Sequence, residues 1–236
     1  MSSIWRTSDR DLLRDVGLVC LAVFAIALSY GATAATLGFP WWFPVLLGTL
    51  VLAGGAELLF IGIVGAGGSV VAAVAAGLLV NARHLPYGLS VPDVVGTGWR
   101  RLVGTHVMND ESVALALAQD DSAGRRAAYW SCGLGILLCW PTGAYLGGLL
   151  GTAVPDTGAF GLDAVFPAVL FALILPAVRS GGGVMRAAVA GGTIAAVATP
   201  LLPAGLPVLV GLAGVVFALW PRSGRDWLRD RPESRR

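Results

Sequence analysis

Residues 78–90 read LLVNARHLPYGLS. The run starts as an apolar helix and ends as something else. Asn81, Arg83, His84 and Tyr87 crowd into surroundings that are otherwise Ala, Gly, Val and Leu. Pro86 has no N–H to give to the carbonyl of Ala82, and its ring disfavours helical geometry at Leu85, so a helix break is predicted over 82–86. In lipid an interrupted helix is tolerated only where protein or a water-filled cavity covers it. A polar cluster on such a break is a candidate site.

The rest of the chain sets the environment of that cluster. It has 236 residues, of which 56% are hydrophobic and 13% charged, with a mean hydropathy of +0.76. A soluble domain is about one quarter charged. Several uncharged runs reach the roughly 20 residues that cross a bilayer. The chain therefore reads as an all-α, polytopic transmembrane bundle. All 16 basic residues are Arg, and the net charge of +2 gives no reason to expect nucleic acid as a partner. Cys20, Cys132 and Cys139 lie in apolar runs and read as small buried hydrophobes, neither a disulfide framework nor a metal site. No metal or other cofactor is expected. The N-terminal RTSDRDLLRD alternates acids with Arg and reads as a charged arm, not a cleaved signal.

The first span is predicted over 16–37, and the aromatic turn GFPWWFP at 38–44 suits a membrane interface. A second span is predicted over 44–64. Glu57 would then lie about 20 Å along it. Residues 91–126 form the one long mixed segment, with Asp93, Arg100, Arg101, His106, Asn109, Asp110 and Glu111. Another span covers 127–151, where Gly143, Gly147 and Gly151 make a seam able to admit a close helix, read here as a docking line for a partner. Segments 164–178 and 187–220 follow, the latter divided by Pro200, Pro203 and Pro207. Arg clusters at the N-terminus, at 125–126, at 179–186 and in the tail put both termini in the cytoplasm and make the number of crossings even. The count is six to eight, with broken or re-entrant helices near 69–119. The organisation is an arm at 1–15, one transmembrane domain at 16–221 and a basic tail at 222–236.

Glu57 is the residue hardest to explain as structure alone. A charge at the bilayer centre costs about 2.5–3.5 kcal/mol on insertion scales, so it should face the bundle interior. It reads as a coupling or substrate-amine group, or as a hydrogen bond locking two helices. Asn81 and His84 share a helix face. His84 can exchange protons near neutral pH, or it can merely satisfy backbone groups freed by Pro86. Arg83 can fork onto a carboxylate, and internal pairing with Asp110 or Glu111 is slightly favoured. Asn109 suits a helix cap, with Asp110 and Glu111 in the favourable first turn. His106 and the stretch 120–126 read as solvated loop.

LVNARHLPYGLS at 79–90, then MNDESVALAL at 108–117, resembles the AzlC-type family, the large subunit of branched-chain amino-acid exporters, with its RH-x-x-YG and TDE-x-F-type elements. AGGAEL at 53–58, the spacing from Trp140 to Gly143, and LDAVFPAVL at 162–170 extend the likeness in order along the chain. This sequence departs where the family commonly has Gln and an aromatic at Glu57 and Leu58, Thr at Asn109, an aromatic at Val113 and an acid at Asn81. The resemblance implies efflux of branched-chain or similar neutral amino acids, a small AzlD-type membrane subunit, and an inner-membrane location. Together with the residue readings above, it leads to substrate binding on Asn81, His84, Tyr87 and Asn109, and to coupling or ion pairing on Glu57, Arg83, Asp110 and Glu111. Oligomerisation with further copies is left open. With no P-loop, energy would come from an ion gradient. The competing reading is an intramembrane enzyme using His84 with Asp110 or Glu111, although GxSxG and HExxH are absent. A third is a scaffold subunit inactive without its partner. On the transporter reading, freed carbonyls at 82–86 and amides at 109–111 would hold the two ends of a zwitterion.

Overall fold

Glycine decides which helices touch. In the computed structural model, which describes residues 7–153, 182–203 and 205–216 together with positions 171, 175, 178 and 179, helix α1 (Thr7–Thr36) lies along helix α8 (Ser122–Ala153). A Cβ added at Gly143 would meet Ala27 and the carbonyl of Phe24. At Gly147 it would strike the Leu28 carbonyl, and at Gly151 it would lie 2.8 Å from that of Ala32. From the other side, Gly31 abuts the carbonyl of Ala144. Two backbones this close leave no space for a third. The glycine seam read from sequence as a partner's docking line is filled by the chain's own first helix.

Between α1 and α8 the chain forms short pieces: α2 (Trp42–Leu50), α3 (Gly54–Gly65), α4 (Val70–Asn81), α5 (His84–Ser90), α6 (Trp99–His106) and α7 (Asp110–Leu117). The described residues form helices and turns throughout. Three helical stretches are long and apolar enough to cross a membrane: Arg10–Thr36, Val70–Ser90 and Ser122–Ala153. Gly54–Gly65 and Gly182–Ala198 are shorter apolar helices. At 1.5 Å per residue, α6 and α7 are each about 12 Å long, too short to cross alone.

The span predicted over 44–64 is therefore two half-helices. Leu52, at φ +52°, is the one described non-glycine residue with a positive φ, and it turns the chain between α2 and α3. Left-handed geometry costs an L-residue roughly 1–2 kcal/mol. Leu52 is buried, so packing holds it there. The depth assigned to Glu57 on a continuous helix does not apply, because Glu57 sits in the first turn of α3.

The interruption at α4–α5 is milder than Pro86 implies. Ala82 and Arg83 keep right-handed helical angles. Pro86 falls in the first turn of α5, where a missing N–H is tolerated. Leu85 N–H turns to the Ala82 carbonyl at 3.1 Å, filling the acceptor that Pro86 cannot reach. The helix tightens at 82–83 instead of ending.

The core of this part of the chain holds Tyr30, Ile61, Tyr129, Cys132, Trp140 and Ala144. Tyr30 and Trp140 stack with centroids 5.3 Å apart. The Tyr129 hydroxyl donates to the Gly104 carbonyl at 2.7 Å, fastening α8 to α6. Arg125 and Arg126, expected in a solvated loop, instead bind the segment after α5. Arg125 donates to the Ser90 carbonyl and pairs with Asp93 at 3.4 Å, and Arg126 reaches the Asp93 carbonyl.

The chain forms two compact units, 1–171 and 172–236. In the second, α9 (Gly182–Ala198) packs on α10 (Leu206–Gly211), and a Cβ at Gly211 would lie 3.0 Å from the Gly191 carbonyl. Gly205, at φ +93°, makes the turn between them. The segment LDAVFPAVL at 162–170, the loop at 154–162 and the basic tail at 222–236 lie outside the described residues.

Candidate functional site

Three discontinuities meet at one cavity. The α2–α3 break contributes Val51 and Ala53, the α4–α5 joint contributes Asn81, His84 and Leu85, and the α6–α7 joint contributes Thr105, His106 and Met108. The cavity measures about 360 Å³. Each break frees backbone groups that need partners, and what satisfies them defines the site.

At the α2–α3 break the partners come from elsewhere in the fold. Ala53 N–H donates to Glu57 Oε1 at 2.8 Å, so the carboxyl caps the start of its own helix. Trp140 Nε1–H, from α8, donates to Glu57 Oε2 at 2.9 Å. Glu57 is 2% exposed. Tyr30, stacked on Trp140, brings its hydroxyl towards the same carboxyl. The indole lies against Gly48 and Gly54, where a Cβ would come within 2.8 Å of the ring at either position. The Thr49 carbonyl, freed because Ala53 N–H turns to Glu57, is met by His106 Nε2 at 2.9 Å.

The α4–α5 joint is closed in the same way. Leu85 N–H has moved to Ala82, leaving the Asn81 carbonyl free, and His84 Nδ1 lies 3.0 Å from it. This is the structural role read for His84 as the alternative to function. His84 also packs edge-on against Tyr87, centroids 5.8 Å apart. Asn81 Oδ1 is buried with no hydrogen-bond partner. A buried acceptor left unpaired costs about 1–3 kcal/mol. Such an atom in a cavity wall is a point where a ligand's donor would be gained.

The α6–α7 joint caps itself. Asn109 Oδ1 accepts Ser112 N–H at 2.8 Å, and Ser112 Oγ accepts Asn109 N–H at 3.1 Å. Asn109 Nδ2 donates to the Val107 carbonyl at 3.3 Å. All three groups of the side chain and its amide are thereby engaged in shaping the joint. Asp110, the first residue of α7, pairs with Arg83 at 2.7 Å. The pair is single-pronged, since Arg83 Nε and Asp110 Oδ1 are buried without partners. Tyr87 and Glu111 lie in the electrostatic neighbourhood of this pair. His84 and Asp110 thus each turn to another partner, the Asn81 carbonyl and Arg83.

Val51 and Asn81 also line a second, apolar pocket of about 190 Å³, with Leu47, Phe60, Val74, Gly77 and Leu78 around it and Glu57 in its wall. The polar cavity and the apolar pocket are neighbours through those two residues.

Of the residues expected at the site, Asn81 and His84 line the cavity, while Arg83, Tyr87, Asn109, Asp110 and Glu111 are not in its lining. Four contributors are unexpected. Trp140 is the long-range donor to Glu57. His106, in a stretch that reads as solvated loop, is a cavity wall. Tyr30 and Leu52 carried no signal. Gly48 and Gly54, spaced to admit a ring, were the available hint for Trp140.

Fold and site together define a helical membrane protein with interrupted helices around a polar cavity. A family model described as AzlC protein matches residues 18–154. This is more than half of the 236 residues, and the chain belongs to the AzlC family. It is 29% identical over 153 residues to the branched-chain amino acid transport protein AzlC of Bacillus subtilis (strain 168), covering 64% of this chain and 60% of that protein. It is 28% identical over 134 residues to an uncharacterized membrane protein of Haemophilus influenzae, covering 55% of each. The chain thus spans three fifths or less of the length of these curated relatives. No solved structure matches.

Proposed function

We propose that this chain is the large subunit of a secondary transporter that exports branched-chain or similar neutral amino acids. The convergence of three helix discontinuities on one cavity carries the reading. Interrupted helices in membrane proteins lie where backbone groups bind small polar substrates and ions. The printed name of the Bacillus relative supplies the substrate class.

The substrate's ammonium binds where acceptors gather. These are Asn81 Oδ1, which has no hydrogen-bond partner, and the carbonyls of Asn81 and Thr49, which face His84 and His106. An ammonium carries three donors and takes over from the imidazoles. Tyr87 supports His84 from behind, packed edge-on against its ring. Asn109 acts through the cap that fixes the start of α7, whose positive end favours the carboxylate. Arg83 neutralises Asp110 and keeps that end from repelling it. Glu57, Arg83, Asp110 and Glu111 form the coupling and ion-pair set. An ion gradient drives the cycle, a small AzlD-type subunit completes the transporter, and both termini face the cytoplasm of an inner membrane crossed six to eight times. With Gly143, Gly147 and Gly151 occupied by α1, the small subunit binds a different face.

The test is efflux of preloaded labelled valine, leucine and methionine from cells with and without this gene and its neighbour. Faster efflux requiring the gene is expected. Equal efflux from both cell types would contradict the reading.

A further inference from the structure

We propose that the 190 Å³ apolar pocket beside the polar cavity is the subsite for the substrate's side chain, and that Gly77 sets the longest side chain it accepts. The inference rests on the transport reading and adds the residue that selects among neutral amino acids.

Three observations lead to it. First, the two cavities share Val51 and Asn81. In an α-amino acid, the ammonium and the side chain leave the same carbon. An ammonium on the idle Asn81 Oδ1 therefore sets the first side-chain carbon at the shared wall, with the apolar pocket on its far side. Second, the sizes divide the ligand. Sites for small ligands run to about 300–1,000 Å³. The apolar pocket alone falls below that range and takes a fragment, whereas the neighbouring cavity already falls inside it and has room for the amino-acid end. Third, the lining is selective. Leu47, Val51, Phe60, Val74 and Leu78 are apolar, and the wall's one carboxyl, Glu57, already accepts from Ala53 and Trp140. A branched aliphatic group fits this lining, and a charged one would lose its hydration without gaining a partner.

Gly77 is the residue to alter. A Cβ built there lies 3.6 Å from Ala56 Cβ, ordinary van der Waals contact. Alanine is therefore admitted without displacing a helix, and it favours helical backbone over glycine. Its methyl takes up space in the pocket and little else. Leu47→Ala is the opposite change, adding room from another helix.

The experiment measures export of leucine, valine and alanine in competition, from cells carrying the wild type, Gly77→Ala, Gly77→Val and Leu47→Ala at matched membrane abundance. One methylene in an apolar pocket discriminates by about 10- to 200-fold. The expected result is a leucine-to-valine ratio falling about tenfold or more in Gly77→Ala and further in Gly77→Val, with the ratio rising in Leu47→Ala. If the ratio stays put in all three variants, or all substrates fall together, the pocket is not the side-chain subsite. It then holds something else, such as a lipid chain, while the transport reading stands. If the wild type exports none of the three, the transport reading fails and this inference with it.

Discussion

The helices broken at 51–53 and at 107–109 share a plan and are held by different means. Each has a short helix, three residues of non-helical chain and a second short helix. At the second break, the cap at the start of α7 is local, while the Gly104 carbonyl at the end of α6 takes the Tyr129 hydroxyl from α8. Asn109 and Ser112 cap each other across three residues, and the Val107 carbonyl takes the remaining donor. At the first break nothing local suffices. Leu52 sits in left-handed geometry and Ala53 has no polar side chain. Its cap is Glu57, and Glu57 is in turn held by Trp140, 83 residues away. The cap of the second break is a property of its own segment. The cap of the first is completed by α8. A conformational change that moves α8 would therefore loosen the cap of α3 and leave the cap of α7 intact, although α6 would lose its bond to Tyr129.

That difference predicts unequal sensitivity. The largest effect is expected from Glu57→Leu. It orphans Ala53 N–H and Trp140 Nε1–H together, at about 1–3 kcal/mol for each buried group, and thermal unfolding of the purified protein should show it as the least stable variant. Glu57→Gln should fall between wild type and Leu, because one carbonyl oxygen replaces two acceptors. It should keep part of the export, in line with the Gln that the family commonly carries. A Leu variant as stable as the wild type would remove the asymmetry between the breaks.

Asn109→Ala should cost about 1 kcal/mol, the usual loss of a helix cap, and Asn109→Ser should recover most of it. If Asn109→Ala were as damaging as Glu57→Leu, the cap of the second break would depend on more than its own segment.

The smallest effect on stability is expected at Arg83 and Asp110, which are part-exposed, at 30% and 26%. Such a pair contributes about 1 kcal/mol or less. Its effect on transport should be large. Arg83→Leu and Asp110→Asn should each abolish export at normal membrane abundance. The exchange Arg83→Asp with Asp110→Arg should restore abundance and part of the export if the pair is a clamp. Failure of the exchange to restore export would instead place one of the two on the substrate.

These contrasts also explain what could be read in advance. The all-helical membrane character follows from hydropathy alone. The start of α7 was legible because Asn109 lies next to the helix it caps. The pairing of Arg83 was legible to within two neighbouring acids, Asp110 and Glu111, and the structure puts it on Asp110. The first break was not, because Leu52 and Ala53 are ordinary helix residues and their conformation is imposed by a tryptophan distant in sequence. Pro86 marked a real joint, between α4 and α5, but overstated it, because the first turn of α5 accepts the proline and Ala82 and Arg83 keep right-handed helical angles. The seam of Gly143, Gly147 and Gly151 announced a close helix without saying which, and connectivity supplies α1. His106 resembled its charged neighbours in 91–126, and only the freed Thr49 carbonyl distinguishes it.

In the proposed transporter, substrate sits in the cavity at the three breaks. Thr105 lines it, and its hydroxyl bonds only back to the carbonyls of Arg101 and Leu102. Thr105→Cys, with Cys20, Cys132 and Cys139 replaced by serine or alanine and export retained, places one thiol at the site. The rate of alkylation by a small maleimide, measured with and without leucine, then reads occupancy directly. Leucine is expected to slow labelling severalfold, arginine at the same concentration to leave it unchanged, and His84→Ala to weaken the protection. A labelling rate indifferent to leucine, in a protein that still exports it, would contradict the account.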